Sequence, residues 1–294
     1  MTELKYKYKY KYKYKYKYKY KYKYKYNMDR LGYTETTLLF YFYLDSLNIN
    51  NKNYINSQNS LINWLCSTSG YYDKNIKGNY FNFNPIHIKQ TKIYNEYFTQ
   101  LLYIIKNTNN NLLLCFHKLD DNLLNYKEQF LDYLNYKNKN KSIDMLSFIT
   151  NKDLLIINNL GSLMKMQYES GNITKINPKF PHVNSIKYLE NGYTFFNNGC
   201  DDNILETINI LCDKIKEYEF DCSIISAGAY SCFLSYYIHN ILKKEAFVIG
   251  GTLQSYFGII TKRTDPKTQN EYFITVPEEM KPKDYMKIEN GCYW

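Results

Sequence analysis

The sequence lacks the short motifs by which metal sites, disulfide frameworks and common nucleotide sites are identified. Its seven cysteines form no Cys-x-x-Cys pair, and its four histidines show no His-Glu-x-x-His spacing. The glycines form neither Gly-x-Gly-x-x-Gly nor a Walker loop with its lysine, and no Gly-x-Ser-x-Gly is present. A zinc site, a common dinucleotide or ATP site and a serine hydrolase are therefore not predicted. The cysteines are predicted to be buried free thiols in a reducing compartment.

Long apolar runs are also missing. No stretch of about 18 apolar residues is present, and the chain does not start with a signal peptide, so we expect a cytoplasmic protein without a membrane span. Its length of 294 residues is enough for one large domain or two small ones.

The formal net charge of +10 comes from one low-complexity stretch. Lys5 to Tyr26 are eleven Lys-Tyr pairs, and residues 1–27 hold 11 of the 38 basic and one of the 28 acidic residues, which leaves 27 of each. Like charges on one face of an alternating segment predict a disordered tail over residues 1–27. We interpret the tail as a repeat expansion or as a misplaced start before Met28. The alternative is a weak polyanion-binding arm, because lysine neutralises phosphates and tyrosine stacks on bases; nucleic acid is not the expected main partner.

The most informative stretch reads as strand, turn, helix and strand. The apolar run Cys222–Ile225 breaks at small residues around Gly228, an amphipathic helix follows, and a second apolar strand ends at Gly250-Gly251. Such a unit is right-handed and parallel, and ligands bind outside the carboxyl ends of its strands, where both glycine turns lie. The alternative is that these glycines serve turn geometry only.

Strands and helices alternate through the rest of the chain. A strand at 112–116, a strand at 153–157 and a helix at 204–218 support an α/β fold with a Rossmann-like parallel sheet and helices on both faces. We divide the chain into the tail, an N-terminal α/β half at 28–150 and a C-terminal Rossmann-like, nucleotide-sugar-binding half at 151–294, with a polar joint between the halves.

Four motifs carry a resemblance to known proteins. They are Gly228-Ala229-Tyr230-Ser231, Gly250-Gly251-Thr252-Leu253-Gln254, Phe257-Gly258-Ile259 and Gly291-Cys292-Tyr293-Trp294. In this order they resemble a family of largely uncharacterised proteins of bacteria and large DNA viruses, and more distantly the GT-D fold of glycosyltransferases. Near the N-terminus, Arg30, Gly32 and Glu35 match the Arg-x-Gly-x-x-Glu turn of these enzymes. Tyr33 stands where the family has the first acid of an Asp-x-Glu pair that serves metal and sugar-nucleotide binding.

The resemblance implies a glycosyltransferase that moves a sugar from a nucleotide-sugar donor to a glycan or protein acceptor. Glu35 is the expected catalytic base, and backbone N–H groups of the glycine turns are expected to hold the diphosphate. The expected substrate-binding residues are Arg30, Gly32, Ser226, Gly228, Ala229, Tyr230, Gly250, Gly251, Gln254, Lys262 and Arg263. For Lys262 and Arg263, surface charge is the competing interpretation.

Metal dependence is left open by the sequence. No metal ligand is assigned, because Tyr33 replaces the first acid of the pair; manganese or magnesium would need another acid, with Asp120 and Asp121 as candidates. The alternative functions are a non-catalytic nucleotide-sugar or ligand-binding module and, after that, polyanion binding through the Lys-Tyr tail.

Overall fold

The computed structural model of the protein describes residues 27–49, 52–76, 84–107, 112–136, 145–195, 199 and 201–294. The Lys-Tyr repeat and Cys200 lie outside these residues. The predicted disorder of the tail therefore concerns residues that the structure does not describe. The described part is built on six parallel strands in one sheet. Their bounds are β1 Asn27–Leu31, β2 Leu112–Leu114, β3 Asp153–Ile157, β4 Ser185–Leu189, β5 Cys222–Ile225 and β6 Glu245–Val248.

The strand order is β2-β1-β6-β5-β3-β4. A separate parallel pair consists of β7 Ile259–Ile260 and β8 Ile274–Thr275. Strands from the 28–150 and 151–294 ranges share the large sheet, because β1 pairs with both β2 and β6. The division near residue 150 stays a prediction, whereas the predicted α/β class, with a parallel sheet flanked by helices, is confirmed.

Helices occupy the connections between the strands. Their bounds are α1 Tyr33–Ser46, α2 Lys52–Trp64, α3 Pro85–Lys89, α4 Lys92–Asn107, α5 Leu124–Tyr133, α6 Met145–Ile149, α7 Gly161–Glu169, α8 Ile173–Ile176, α9 Ile204–Lys216, α10 Ser231–Tyr236 and α11 Thr252–Tyr256. A π-helical turn extends α2 over Leu65–Ser69, and another extends α10 over Tyr237–Ile241. Within the described residues, no helix combines the length and the apolar character needed to cross a lipid bilayer.

Both faces of the sheet are buried. Along β3, Leu155 and Ile157 pack into one hydrophobic cluster, and Leu154 and Ile156 pack into the other. Side chains of a strand alternate between the faces, so a strand covered on both sides is apolar at every position. This explains the continuous apolar runs of β3 and β5.

Neighbouring strands send the chain to opposite faces of the sheet. The helices after β1 and β5, α1 and α10, contribute to the first cluster, whereas α7 after β3 and α11 after β6 contribute to the second. Where adjacent parallel strands continue on opposite faces, a crevice opens at their carboxyl ends. The order β1-β6-β5-β3 creates this arrangement repeatedly along one edge.

Candidate functional site

A cavity of about 280 Å³ lies at the carboxyl edge of the sheet. Its walls are the segments that follow β1, β3, β4, β5 and β6, together with the end of α2, part of α4 and the C-terminal segment. Its volume is near the lower end of the range for ligand pockets, about 300–1,000 Å³. All the predicted site residues except Lys262 line this cavity.

Glu35 lies in the first turn of α1 and is only 9% exposed. Its carboxylate folds back over Gly32, since a Cβ atom at Gly32 would lie 2.5 Å from Oε2 of Glu35. The backbone of Gly32 has a φ of −64°, which any residue adopts, so glycine is needed there for space. The spacing of Gly32 and Glu35 in the sequence therefore places the carboxylate beside the carboxyl end of β1.

The charge of Glu35 acts on two cavity tyrosines. Burial raises the pKa of Tyr97 and of Tyr293, and the nearby Glu35 carboxylate adds to both shifts. Tyr97 comes from α4, and its hydroxyl donates to the carbonyl of Ala229 at 2.9 Å. Tyr293 belongs to the C-terminal segment. The carboxylate is thus within electrostatic reach of groups from two different walls.

Arg30 extends from the end of β1 toward the turn after β6. A Cβ atom at Gly250 would lie 3.4 Å from Nη1 of Arg30, and Gly250 has a φ of +60°, in the region that favours glycine. Among the described residues, no ion pair or hydrogen bond includes the Arg30 guanidinium. A half-buried arginine of this kind can bind a phosphate or carboxylate through paired N–H groups. We name the space between Arg30 and Gly250-Gly251 the anion seat.

The turn after β5 is held by hydrogen bonds within the protein. Gly228 has a φ of +52°, the amide of Ala227 donates to the Ser231 hydroxyl at 3.0 Å, and the carbonyl of Ser226 accepts from the Asn158 amide at 2.9 Å. Tyr230 is 2% exposed; its hydroxyl donates to the carbonyl of Gly70 at 3.3 Å and bonds with the Thr194 hydroxyl. These groups form a rigid wall of the cavity.

The C-terminal segment closes the cavity on another side. The Gln254 amide donates to the carbonyl of Tyr293 at 3.3 Å, and the indole N–H of Trp294 donates to the Tyr193 hydroxyl at 3.1 Å. Glu289 is a centre of contacts, because it accepts from the indole N–H of Trp64 and from the Arg263 guanidinium.

The two predicted cations near residue 262 differ in their placement. Arg263 lines the cavity, is paired with Glu289 and lies over the Tyr293 ring with 4.2 Å to the ring centroid. Lys262 is exposed, donates to the carbonyl of Asn290 and does not line the cavity. Its predicted contact with a diphosphate stays a prediction without support from the placement.

An aromatic group lies on the side of β1 that faces β2. Tyr33 is 50% exposed and lines the cavity, as does Trp64, and the ring of His117 lies between them. The centroid distances are 5.5 Å from Tyr33 to His117 and 4.8 Å from Trp64 to His117. We name these three residues the aromatic ledge. Burial lowers the pKa of His117 below its usual 6.5, which favours the neutral imidazole.

Asn191 was missed by the sequence analysis. It follows β4, lines the cavity and is 7% exposed; its amide nitrogen donates to the carbonyl of Gly192 at 3.3 Å. No residue in the described part of the chain donates to its buried Oδ1. The signal that could have found it is the polar pair Asn191-Gly192 directly after a strand, but β4 itself was not predicted.

The described lining of the cavity offers a divalent cation only one carboxylate. Glu35 is the single carboxylate among the described residues that line the cavity, and Asp120 and Asp121 do not line it. The same residues include two arginines, and no group of three metal-ligating side chains occurs in the described ranges. Cations of the magnesium type need several oxygen ligands, commonly one or two carboxylates with substrate phosphates. Tyr33, with no carboxylate to offer, contacts the ring of His117.

No protein-family model, curated protein or solved structure matches the chain. The resemblance to GT-D glycosyltransferases therefore stays a prediction that depends on the motifs.

Proposed function

We propose that the protein is a glycosyltransferase of the GT-D-like, Rossmann-like type, which binds a nucleotide-sugar donor at the carboxyl edge of its sheet. The observation that carries the proposal is the convergence of Arg30, Glu35 and the Gly250-Gly251 turn on one cavity. An unpaired guanidinium beside a glycine turn suits a diphosphate, and a buried carboxylate in the same cavity suits the removal of a proton from an acceptor hydroxyl.

In the proposed sugar transfer, Glu35, Arg30 and the turn after β6 each have a separate role. The acceptor oxygen forms a bond to the anomeric carbon, and the bond from that carbon to the diphosphate breaks with its electron pair on the leaving diphosphate. Glu35 takes the acceptor proton. Arg30 and the backbone N–H groups of the turn stabilise the charge that develops on the leaving group. Glu35, the single carboxylate of the described lining, is assigned to the acceptor proton, so no step is assigned to a metal.

The test compares Arg30, which lines the cavity, with Lys262, which does not. UDP, GDP and CMP are titrated calorimetrically into the wild-type protein, and the corresponding sugar donors are screened for hydrolysis and transfer with and without manganese. For the nucleotide that binds, Arg30→Met should raise the dissociation constant roughly 10- to 150-fold, the usual effect of losing hydrogen bonds to a charged group. Lys262→Met is the matched control and should leave the constant unchanged.

Three outcomes would contradict the proposal. The wild-type protein could bind none of the three nucleotides, Arg30→Met could bind as tightly as the wild type, or turnover could require manganese. The first outcome excludes the donor class, and the second moves the diphosphate away from the anion seat. The third requires either a further acid or Glu35 as a metal ligand in place of its role as the base.

The second candidate is a nucleotide-sugar-binding module without catalysis. Tyr33 at the place of the family's acid favours it. This candidate predicts tight nucleotide binding together with no transfer to any acceptor, which the same screen measures.

A further inference from the structure

We propose that the aromatic ledge of Tyr33, Trp64 and His117 is the acceptor subsite, and that the acceptor is the pyranose ring of a glycan. This inference depends on the proposed function, because it assigns the second substrate of the same reaction. It begins with an exposed feature: Tyr33 shows half of its side chain to solvent at the cavity rim, although every neighbouring residue from Thr34 to Tyr41 is buried.

The ledge is fixed in place by contacts on both sides. The backbone N–H of His117 donates to the Thr37 hydroxyl at 3.0 Å, which ties the segment after β2 to α1. The indole N–H of Trp64 donates to Glu289, which sets the orientation of that ring. Rings held in one orientation before a ligand arrives lose little conformational freedom when it binds. The ledge is therefore an ordered surface for a flat partner.

The order of the strands indicates where the ledge lies relative to Glu35 and the anion seat. Glu35 follows β1, the ledge lies toward β2, and Gly250-Gly251 follows β6 on the other side of β1. Because β1 lies between β2 and β6 and neighbouring strands are about 4.8 Å apart, we place the ledge and the anion seat on opposite sides of the end of β1. An acceptor on the ledge can present a hydroxyl to Glu35 while the diphosphate occupies the anion seat.

The same order separates the acceptor from the nucleoside. The nucleoside is attached to the diphosphate on the side away from the anomeric carbon, and the free part of the cavity beyond the anion seat lies toward β5, β3 and β4. A nucleobase would therefore extend away from Tyr33. The ledge is then free to bind the acceptor, whose hydroxyl attacks the anomeric carbon.

The chemistry of the ledge suits a sugar more than a peptide. A pyranose ring has a face of C–H groups that packs on an aromatic ring, with hydroxyls around its edge that stay hydrated or reach Glu35. The side chain of serine or threonine has no comparable flat face. Partial burial favours the uncharged form of the His117 ring that packs between Tyr33 and Trp64.

The experiment measures sugar and nucleotide binding separately. Methyl glycosides of glucose, galactose, mannose and N-acetylglucosamine are titrated by ligand-observed NMR, first without nucleotide and then with the nucleoside diphosphate that binds best. For the glycoside that binds, Tyr33→Ala should raise the dissociation constant about tenfold, near the upper end of what one aromatic pair contributes. Tyr33→Phe should bind like the wild type, because the ring is retained.

The matched control is Tyr103→Ala, since Tyr103 is 59% exposed but does not line the cavity. It should bind the glycosides like the wild type, and Tyr33→Ala should keep its nucleotide dissociation constant within about twofold. The result that supports the inference is a loss of glycoside binding confined to Tyr33→Ala.

Four results would overturn it. Glycosides could bind Tyr33→Ala as well as the wild type, or Tyr33→Ala could lose nucleotide affinity in parallel, which would place the nucleobase on the ledge. The wild type could bind none of the glycosides, or it could transfer sugar to a peptide only. Each leaves the proposed function standing if nucleotide binding depends on Arg30, whereas a wild type that binds no nucleotide refutes the proposed function by itself.

Discussion

The turn after β5 and the turn after β6 look alike in the sequence, but they differ in what surrounds them. At the β5 turn, polar groups from three other segments hold the loop: the Tyr97 hydroxyl bonds to the Ala229 carbonyl, and the Tyr230 hydroxyl bonds to the Gly70 carbonyl and the Thr194 hydroxyl. At the β6 turn, the nearest side chain to Gly250 is Arg30, which has no partner among the described residues.

We interpret the β5 turn as a structural wall of the cavity and the β6 turn as a surface that can bind a ligand. Glycine after a parallel strand allows a tight turn in both places, so glycine alone does not identify the ligand contact. The polar groups nearby do: where they are satisfied within the protein, the turn is structural, and where a cation is left unpaired, the turn can bind an anion. The comparison assigns the diphosphate to the β1 and β6 side, and the following predictions test that assignment.

The largest effect is expected at Glu35. Glu35→Gln keeps the shape and the hydrogen-bonding capacity of the side chain but removes its basicity, so turnover should fall roughly 100-fold or more while nucleotide affinity changes little. Asp121→Asn is the control, because Asp121 lies outside the cavity. Steady-state kinetics with the active donor measure both. Unchanged turnover in a folded Glu35→Gln protein would exclude Glu35 as the base.

An intermediate effect is expected at Gly250, which we compare with two other glycines of positive φ. Gly250→Ala places a methyl group 3.4 Å from the Arg30 guanidinium, so we expect about a tenfold loss of nucleotide affinity. Gly171→Ala is the control for backbone strain, since Gly171 has a φ of +74° and nothing within 4 Å of the added methyl group. Gly228→Ala tests the β5 turn and should lower affinity much less. A larger loss for Gly228→Ala than for Gly250→Ala would reverse the comparison.

The smallest effect on binding is expected at Tyr230. Tyr230→Phe removes the hydroxyl that bonds to Gly70 and Thr194, so the free energy of unfolding should fall by about 1–2 kcal/mol. For a chain of this size, each kcal/mol lowers Tm by about 2–4 °C. Nucleotide affinity should stay the same, because the hydroxyl bonds to other residues of the cavity wall and is not proposed to contact the nucleotide. Thermal unfolding and calorimetric titration on the same samples measure the two quantities, and lost affinity without lost stability would place Tyr230 on the ligand.

Local patterns were enough to predict part of this fold. β3, β5 and β6 are apolar at nearly every position because both faces are covered, and the periodicity of α9 predicted this helix with its end within a few residues. β1 and β4 were not predicted. β4 contains Ser185 and Lys187 and lies at the sheet edge, and β1 owes its strand conformation to pairing with β2 and β6, which no local pattern records.

The site was predictable where its residues are close together in the sequence. Gly32 and Glu35 are three positions apart, and their contact follows from one turn of helix. Glu289 and Trp64 are 225 positions apart, and nothing in either segment indicates that they meet. The orphan amide oxygen of Asn191 was equally inaccessible to sequence reasoning, because its burial depends on an unpredicted strand.

The cavity walls come from segments spread between Arg30 and Trp294, so each half of the chain supplies only part of the described lining. A fragment of residues 28–150 would carry the carboxylate and the unpaired guanidinium with nothing to hold a diphosphate against them, and a fragment of residues 151–294 would carry the glycine turns without either charge. Recombination of this protein with another at residue 150 would separate the proposed base from the proposed diphosphate contact. Its two halves can therefore diverge only together.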